Sequence, residues 1–508
     1  MSNASRRDFL LSASLAGAGY FVAAGNRPAW SQSAGQQLNV ACIGVGGKGG
    51  SDSDNAAQFG NVVAICDVDR GTLESKGNSE KFKNAEKFTD FREMLAKHGK
   101  KIDICTVSTP DHMHGPATLE AMRMGISCYT QKPLTRTIYE ARLLAKVAEE
   151  MASKGVCTQM GNQGTALDTS REAIAQIRSG VLGTLKEVYA WSNRPVWAQG
   201  PGRRMNVRKY QVQAMKEVDE QEDAATTAVE VSKIVADLIA KKQGEIAKAL
   251  ERLDWKNWIG VAPSREYWPG LYHSFQHRGW WDFGTGALGD MACHPLTVPF
   301  ASCGLRDPVS VQAKTTGHDF DSFPASSIIK FEFPETSERP AIPFWWYDRK
   351  GNKPPAEVFS KWGIDKVSDS GVLVVGEKGA FYSSDDYCGK YELKGVEKVK
   401  ADFEPAESKG GNDVNNMFEL FRAKQAGNPK ICHSNFIDRA GPLTETILLG
   451  NLAVWAAAKG GADGAMGEWG EKVSWDAKNL KVTNLADLKT PRVADLIKPT
   501  YAAGYRLD

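Results

Sequence analysis

The sequence predicts an α/β protein whose first domain is a doubly wound, mostly parallel sheet. Three observations carry that reading. Short apolar runs recur at intervals suited to strand–helix alternation, a glycine-rich turn directly follows the first run, and an acidic residue closes the second. At 508 residues the chain has room for two domains and additions. Lys and Arg number 63 against 61 Asp and Glu, a balance that argues against a nucleic-acid partner, which calls for a basic excess or patch. Apolar runs fall short of the ~18 residues of a membrane span, so no span is expected.

Residues 1–34 come first. Ser5-Arg6-Arg7-Asp8-Phe9-Leu10 precedes a modest apolar stretch, Leu11 to Ala24, and then Ala29-Trp30-Ser31. Paired arginines, an apolar run and small residues before a cleavage point, in that order, resemble a twin-arginine export signal. The expectation is an exported, periplasmic protein. Such export carries folded proteins, which reconciles it with nine cysteines lacking any CxxC pair. Cys42, Cys66 and Cys105 lie in strand-like runs, where a thiol packs as a small hydrophobe. Neither a disulfide framework nor a zinc pattern emerges, and no metal is expected.

Leu38–Ile43 reads as a buried strand, and Gly44-Val45-Gly46-Gly47-Lys48-Gly49 follows at once. Gly44 permits a tight turn, and Gly46 and Gly47 let backbone approach a pyrophosphate. Gly49 lets a helix pack closely on the strand, and that helix's N-terminal N–H groups face the phosphates. A lone GxGxxG is weak, but Val62–Cys66 forms a second strand ending in Asp67, twenty-three positions after Gly44. That is where an acid for the ribose hydroxyls belongs, ~20 residues on. Residues 36–164 are therefore a Rossmann dinucleotide-binding domain. Asp67 favours NAD, since a carboxylate repels the 2′-phosphate of NADP; Arg70, nearby in sequence, keeps NADP open, and Asp69 fits a solvated loop.

Ile102–Val107 is the next strand. It runs into Ser108-Thr109-Pro110-Asp111-His112-Met113-His114, a strand end that belongs beside the cofactor, with Thr109, Pro110 and His114 as contacts. His112 fits a surface or capping role equally well. Gly125–Thr130 is another strand, ending in Gln131-Lys132-Pro133 before a helix from Thr137 to Met151. Lys132 at such a strand end can hold a reacting hydroxyl and share in proton movement. Partial burial and an oxidised nicotinamide would both lower its pKa. Further on, Asp290 and His294 stand four apart in Gly284-Thr285-Gly286-Ala287-Leu288-Gly289-Asp290-Met291-Ala292-Cys293-His294. On a helix they share a face, where the carboxylate would orient and support an imidazole general base, although Pro295 sits awkwardly for a helix.

The glycine fingerprint, the TPD-H-x-H segment, the Lys-Pro pair and the GTGALGD-x-x-x-H cluster occur in the order of the Gfo/Idh/MocA oxidoreductases, named for glucose–fructose oxidoreductase and inositol dehydrogenase. The chain resembles that family most strongly over 38–164 and 255–294. The resemblance implies Lys132 as the active-site lysine of its E-K-P motif, and Asp290 and His294 as its acid and histidine. One departure is Gln131, where the family usually has Glu. Another is Gly161-Asn162-Gln163-Gly164, where many members carry an asparagine–arginine segment; Gln163 reads as a polar contact.

The resemblance also implies a second α/β domain, 165–460, with a large, open, mostly antiparallel sheet that covers the substrate and mediates homo-oligomer formation as a dimer or tetramer. Strand candidates are Leu185–Ser192, Val309–Thr315, Ser327–Phe333 and Gly371–Val375, the last opening a strand–turn–strand. Phe436–Ala457 reads as a helix. Residues 205–252 look like a helical insertion, with Val231, Ile234, Val235, Leu238 and Ile239 at amphipathic spacing. Residues 461–508 form a loop-rich tail. His273, Arg278 and Trp280, in an aromatic-rich stretch, are candidate substrate contacts, although most such rings pack in cores.

The implied activity is NAD(P)-dependent hydride transfer with a hydroxyl of a sugar, polyol or glycoside. Because an exported enzyme lacks free dinucleotide, the cofactor is expected to be tightly held. Redox-assisted glycoside cleavage is the alternative on the same fold, and a non-catalytic sugar-binding module is the alternative outside enzymes.

Overall fold

The computed structural model describes residues 37–201, 241, 243–407, 410–485, 491–502 and 504–507. The predicted export signal and the amphipathic stretch Val231–Ile239 lie outside the described residues.

Six parallel strands form the first sheet: β1 (Asn39–Ile43), β2 (Asn61–Cys66), β3 (Glu86–Phe88), β4 (Ile104–Val107), β5 (Ser127–Thr130) and β6 (Thr158–Met160), in the order β3-β2-β1-β4-β5-β6. β4 and β5 are buried at every position, which explains why they read as continuous apolar runs: helices cover both faces. α1 (Lys48–Phe59) follows β1, α2 (Asp111–Arg123) follows β4, and α3 (Ile138–Ala152) follows β5. A capping box starts α3, with Glu140 accepting from the Thr137 N–H and hydroxyl. The strand order reverses between β1 and β4, which opens a crevice at their C-terminal ends.

The second sheet has nine strands among the described residues. These are β7 (Leu185–Ser192), β8 (Ser310–Thr315), β9 (Ser327–Phe333), β10 (Ile342–Asp348), β11 (Gly371–Gly376), β12 (Ala380–Ser383), β13 (Glu392–Lys394), β14 (Val473–Asp476) and β15 (Lys481–Val482), in the order β13-β12-β11-β7-β10-β9-β8-β14-β15. Every pairing is antiparallel except β7 with β10. The expected large, mostly antiparallel sheet is present, and β11 and β12 form the expected strand–turn–strand. In β9 burial alternates residue by residue, as for a sheet with one covered face.

Two late helices tie the domains together. α4 (Asn412–Ala426) returns to pack on α1, with Phe418 and Phe421 each 5.6 Å from the Phe59 ring. α5 (Gly441–Ala456) continues from a π-helical turn at Phe436–Ala440 and lies between α3 and strands β8 and β9. It is buried nearly all round, so its apolar residues show no one-sided stripe. The tail is more structured than expected. It contributes β14 to the large sheet, then a helix at Pro491–Ile497, and its last residues dock on the first domain. Among the described residues no helix is long and apolar enough to cross a membrane.

Candidate active site

The turn after β1 is built as the glycines require. Gly44 has φ +77° and donates its N–H to the Cys66 carbonyl at 2.8 Å. A Cβ there would lie 2.6 Å from the Ser108 carbonyl oxygen, and one at Gly49 would lie 2.1 Å from that of Gly44. Gly49 thus serves close packing of α1 on β1 and is not on the cavity wall, whereas Gly44, Gly46 and Gly47 are. Gly47, at φ +52°, has open space where a side chain would stand, at the N-terminus of the 12-residue α1.

The crevice is a cavity of about 750 Å³, a size suited to a cofactor and a small substrate. Asp67 lines it. Its carboxylate accepts from the N–H groups of Val45 and Asp69, each at 2.9 Å. Burial raises its pKa, and those N–H groups only partly offset the effect. Arg70 turns away to the Glu251 carbonyl at 2.9 Å and is off the cavity wall. Arg252 also lines this end, and its Nε sits 2.6 Å from Asp69 Oδ1, so Asp69 is ion-paired and its carboxyl is held below its ordinary range despite some burial.

Beyond the ends of β4 and β5 stand Lys132, Asp290, Arg278 and His294. Lys132 Nζ lies 3.0 Å from Asp290 Oδ1 and 2.7 Å from the Asp290 carbonyl, and Arg278 Nε lies 3.0 Å from the same Oδ1. Burial would lower the Lys132 ammonium, but Asp290 outweighs it and holds the lysine above its usual value. This corrects the expected downward shift: the buried lysine carries its own counter-ion. Asp290, although burial pushes it up, is held below the ordinary carboxylate range by Lys132 and then Arg278.

Asp290 does not orient His294. The helix Gly286–Met291 ends before His294, with Pro295 beyond, so the two side chains do not share a helical face. His294 is instead positioned by Asn162, whose Oδ1 is 2.9 Å from His294 Nδ1. The Asn162 amide nitrogen donates to the Cys293 carbonyl at 2.8 Å and to Thr297 Oγ1 at 3.1 Å. Its oxygen is therefore the atom facing the ring, so Nδ1 carries the proton and Nε2 is the free acceptor. Burial drives the imidazole well below its ordinary range, Lys132 adds to that and Asp290 opposes it. The ring is neutral at neutral pH, as a proton acceptor must be. Tyr387 packs over it at 4.7 Å between centroids.

Thr109, Pro110, Gln163, His273 and Arg278 all line the cavity, as expected from the sequence. His114 lines it too, but both ring nitrogens face carbonyls, those of Pro133 and Thr109, each at 2.7 Å. It ties together the two loops that carry Lys132 and Thr109. His112 lies in the core between the carbonyls of Trp258 and Phe283. Trp280 is not a substrate contact: it is fully buried and donates to the Leu271 carbonyl at 2.9 Å, packed within an aromatic cluster.

Sequence reasoning missed several residues. Asn162 was passed over beside Gln163. Buried Asp52 on α1 receives Lys48 Nζ at 2.5 Å, the Ser108 hydroxyl at 2.8 Å and the Gln131 amide at 2.9 Å. This gives Gln131 a physical reason: a glutamate there would face the Asp52 carboxylate, whereas the amide donates to it. Asp111 pairs with His277 at 3.3 Å and accepts from Thr285 at 2.7 Å. Arg194, Trp197, Phe275 and Tyr387 come from the second domain to line the cavity. For Arg194, Trp197 and Tyr387, position just after β7 or β12 was the available signal.

Residues 38–160 match the Gfo/Idh/MocA oxidoreductase model described as an NAD-binding Rossmann fold, and residues 235–337 match that family's C-terminal α/β domain. Over these two stretches the chain is similar to the Gfo/Idh/MocA oxidoreductases. Among curated relatives it is similar to a glycosyl hydrolase family 109 protein from Solibacter usitatus, 28% identical over 200 residues, covering 36% of this chain and 45% of the relative. It is also similar to a D-glucoside 3-dehydrogenase from Escherichia coli, 29% identical over 162 residues, covering 31% and 43% respectively. The chain thus spans less than half the length of these relatives. In fold it is similar to the WlbA dehydrogenase from Bordetella pertussis, solved with NADH and UDP-GlcNAcA. That likeness covers 85% of this chain and 98% of the other at a TM-score of 0.52 and 14% identity, a likeness of fold alone.

Proposed function

We propose that this protein is an NAD-dependent oxidoreductase of the Gfo/Idh/MocA kind acting on a secondary hydroxyl of a sugar, polyol or glycoside. The observation that carries the reading is one cavity holding a glycine cradle and Asp67 at one end and a neutral His294, with Nε2 free, beside Lys132 at the other. The cradle fits a dinucleotide. Gly44, Gly46 and Gly47 line the wall where its phosphates would lie, with open space left at Gly47, α1 presents N–H groups, and Asp67 would meet the adenosine ribose. When bound, nicotinamide supplies the hydride acceptor. The protein does the rest. Lys132 holds the hydroxyl oxygen, His294 Nε2 takes its proton, and Asn162 keeps the imidazole in the accepting tautomer. Asp290 and Arg278 fix the Lys132 ammonium.

The similarity to a glucoside dehydrogenase supports a carbohydrate substrate. Trp197, Phe275 and Tyr387 offer rings for sugar C–H faces on the same cavity. Asp67 and the displaced Arg70 support NAD over NADP. The similarity to a family 109 glycosyl hydrolase supports a second reading, in which transient oxidation assists glycoside cleavage and the cofactor is recycled in place. We also retain the twin-arginine export reading. All nine cysteines are free and buried, the state expected of a protein folded before export.

The test supplies NAD and a panel of sugars, polyols and glycosides, and follows reduced nicotinamide and released aglycone. Turnover of either kind in the wild type, lost in Lys132→Ala and His294→Ala with NAD still bound, is the expected result. Unchanged turnover in both variants would refute the assignment.

A further inference from the structure

We propose that Tyr505, carried on the C-terminal strap, forms part of the adenine end of the cleft and retains the dinucleotide there. The inference rests on the dinucleotide reading and adds a residue to it from the far end of the chain. Beyond Asp67, the cavity continues along the segment that follows β3, where Thr89, Asp90 and Phe91 line it. In a doubly wound sheet this is the side on which the base lies, past the ribose. Tyr505 lines the same stretch. Its ring centroid is 6.4 Å from that of Phe91 at an interplanar angle of 32°.

The strap is a built feature. After the helix Pro491–Ile497, the Tyr501 hydroxyl donates to Glu140 at the start of α3, and the Ala502 N–H donates to the Val261 carbonyl at 3.2 Å. Arg92 donates to the Gly504 carbonyl and Arg123 to the Leu507 carbonyl, both at 3.2 Å. Arg92 is itself fixed by Asp90, with Nη2 2.6 Å from Oδ2. Its guanidinium lies 4.5 Å from the centre of the Tyr505 ring. The phenol is thus held rigidly, half-buried, with an arginine packed on it, and a rigid aromatic wall is what a purine needs for sequence-distant, low-entropy contact. Three anchors to the first domain and one to Val261, on either side of Tyr505, mean that the ring is in place before the cofactor arrives. A wall added at the adenine end slows escape of a dinucleotide without touching the reacting atoms.

The experiment uses the full-length protein as wild type, Tyr505→Ala and Tyr505→Phe, and measures binding of NAD and of AMP by calorimetry. Tyr505→Ala is expected to weaken NAD and AMP by a common factor of about tenfold, the scale of one base–aromatic contact. Tyr505→Phe should restore both affinities. AMP binding as tight in Tyr505→Ala as in wild type would overturn the proposal, as would a loss in Tyr505→Phe equal to that in Tyr505→Ala. A wild type that binds neither NAD nor AMP would overturn the dinucleotide reading and this proposal with it.

Discussion

Replacing Asp290 with asparagine removes one negative charge and almost no volume, and the structure says what should follow. Lys132 Nζ and Arg278 Nε both stand 3.0 Å from Asp290 Oδ1. Two unit charges at that distance attract by about 5 kcal/mol at an effective dielectric of 20. Desolvation offsets much of this in the intact site, but removing one partner leaves the other buried and uncompensated, at a cost of roughly 3–5 kcal/mol. For a chain of this size that is a fall in Tm of roughly 3–5 °C. The titration changes as well. Asp290 now holds Lys132 above its usual value, so the pair's stability is full below that value and is lost as pH rises through the raised one. Asp290 itself contributes above the ordinary carboxylate range, a contribution lost as pH falls through its lowered pKa. In the asparagine variant burial and the Arg278 charge act on Lys132 without their counterweight, so its pKa drops below the usual value and the alkaline limb of kcat/KM moves toward neutral pH. The assay is a pH profile of kcat/KM alongside thermal unfolding. An unchanged alkaline limb together with an unchanged melting temperature would refute the ion-pair account.

Four further outcomes follow from the same geometry. Asn162→Leu removes the acceptor for the His294 Nδ1 proton, and kcat should fall about tenfold or more with little change in KM for NAD, read by steady-state kinetics. The neutral state of His294 means that activity should persist below the ordinary histidine range in wild type. Stability, by contrast, should decline as pH falls below that range, because the unfolded imidazole takes up the proton first. Asp67→Ala should raise the KM for NAD about tenfold and narrow the preference over NADP, since the carboxylate that meets the ribose is gone. Trp280→Ala should lower stability by about 3–5 kcal/mol in denaturant unfolding, while the substrate KM of the folded fraction stays unchanged.

The sequence displays the first domain well because its strands are buried on both faces. Asn39–Ile43, Asn61–Cys66 and Ile104–Val107 are short apolar runs whose only interpretation in this spacing is a covered parallel sheet. Gly44 and Asp67 were legible because each is required by backbone geometry or by a ligand at a fixed offset. β3 and β6, three residues each, carry too little pattern to be seen. The Asp290–His294 spacing misled for a local reason: four residues apart means a shared face only if the helix continues, and it ends at Met291. The true partner of His294 is 132 positions away in the chain. Such a pairing leaves no local trace, and neither do Asp52 beneath Gln131 or Tyr505 beside Phe91. Trp280 shows the limit of composition, because an aromatic in a rich stretch looks the same whether it faces a sugar or a core.

The most direct test of the central claim is to denature the purified full-length protein and identify by mass spectrometry any nucleotide it releases, then to titrate the emptied or refolded protein with NAD and NADP. The account predicts NAD, either co-purifying in near-stoichiometric amount or binding on addition, with NADP weaker. A protein that releases no dinucleotide and binds neither NAD nor NADP would contradict it, because the glycine cradle, Asp67 and the His294–Lys132 site would then share a cavity with nothing to carry the hydride.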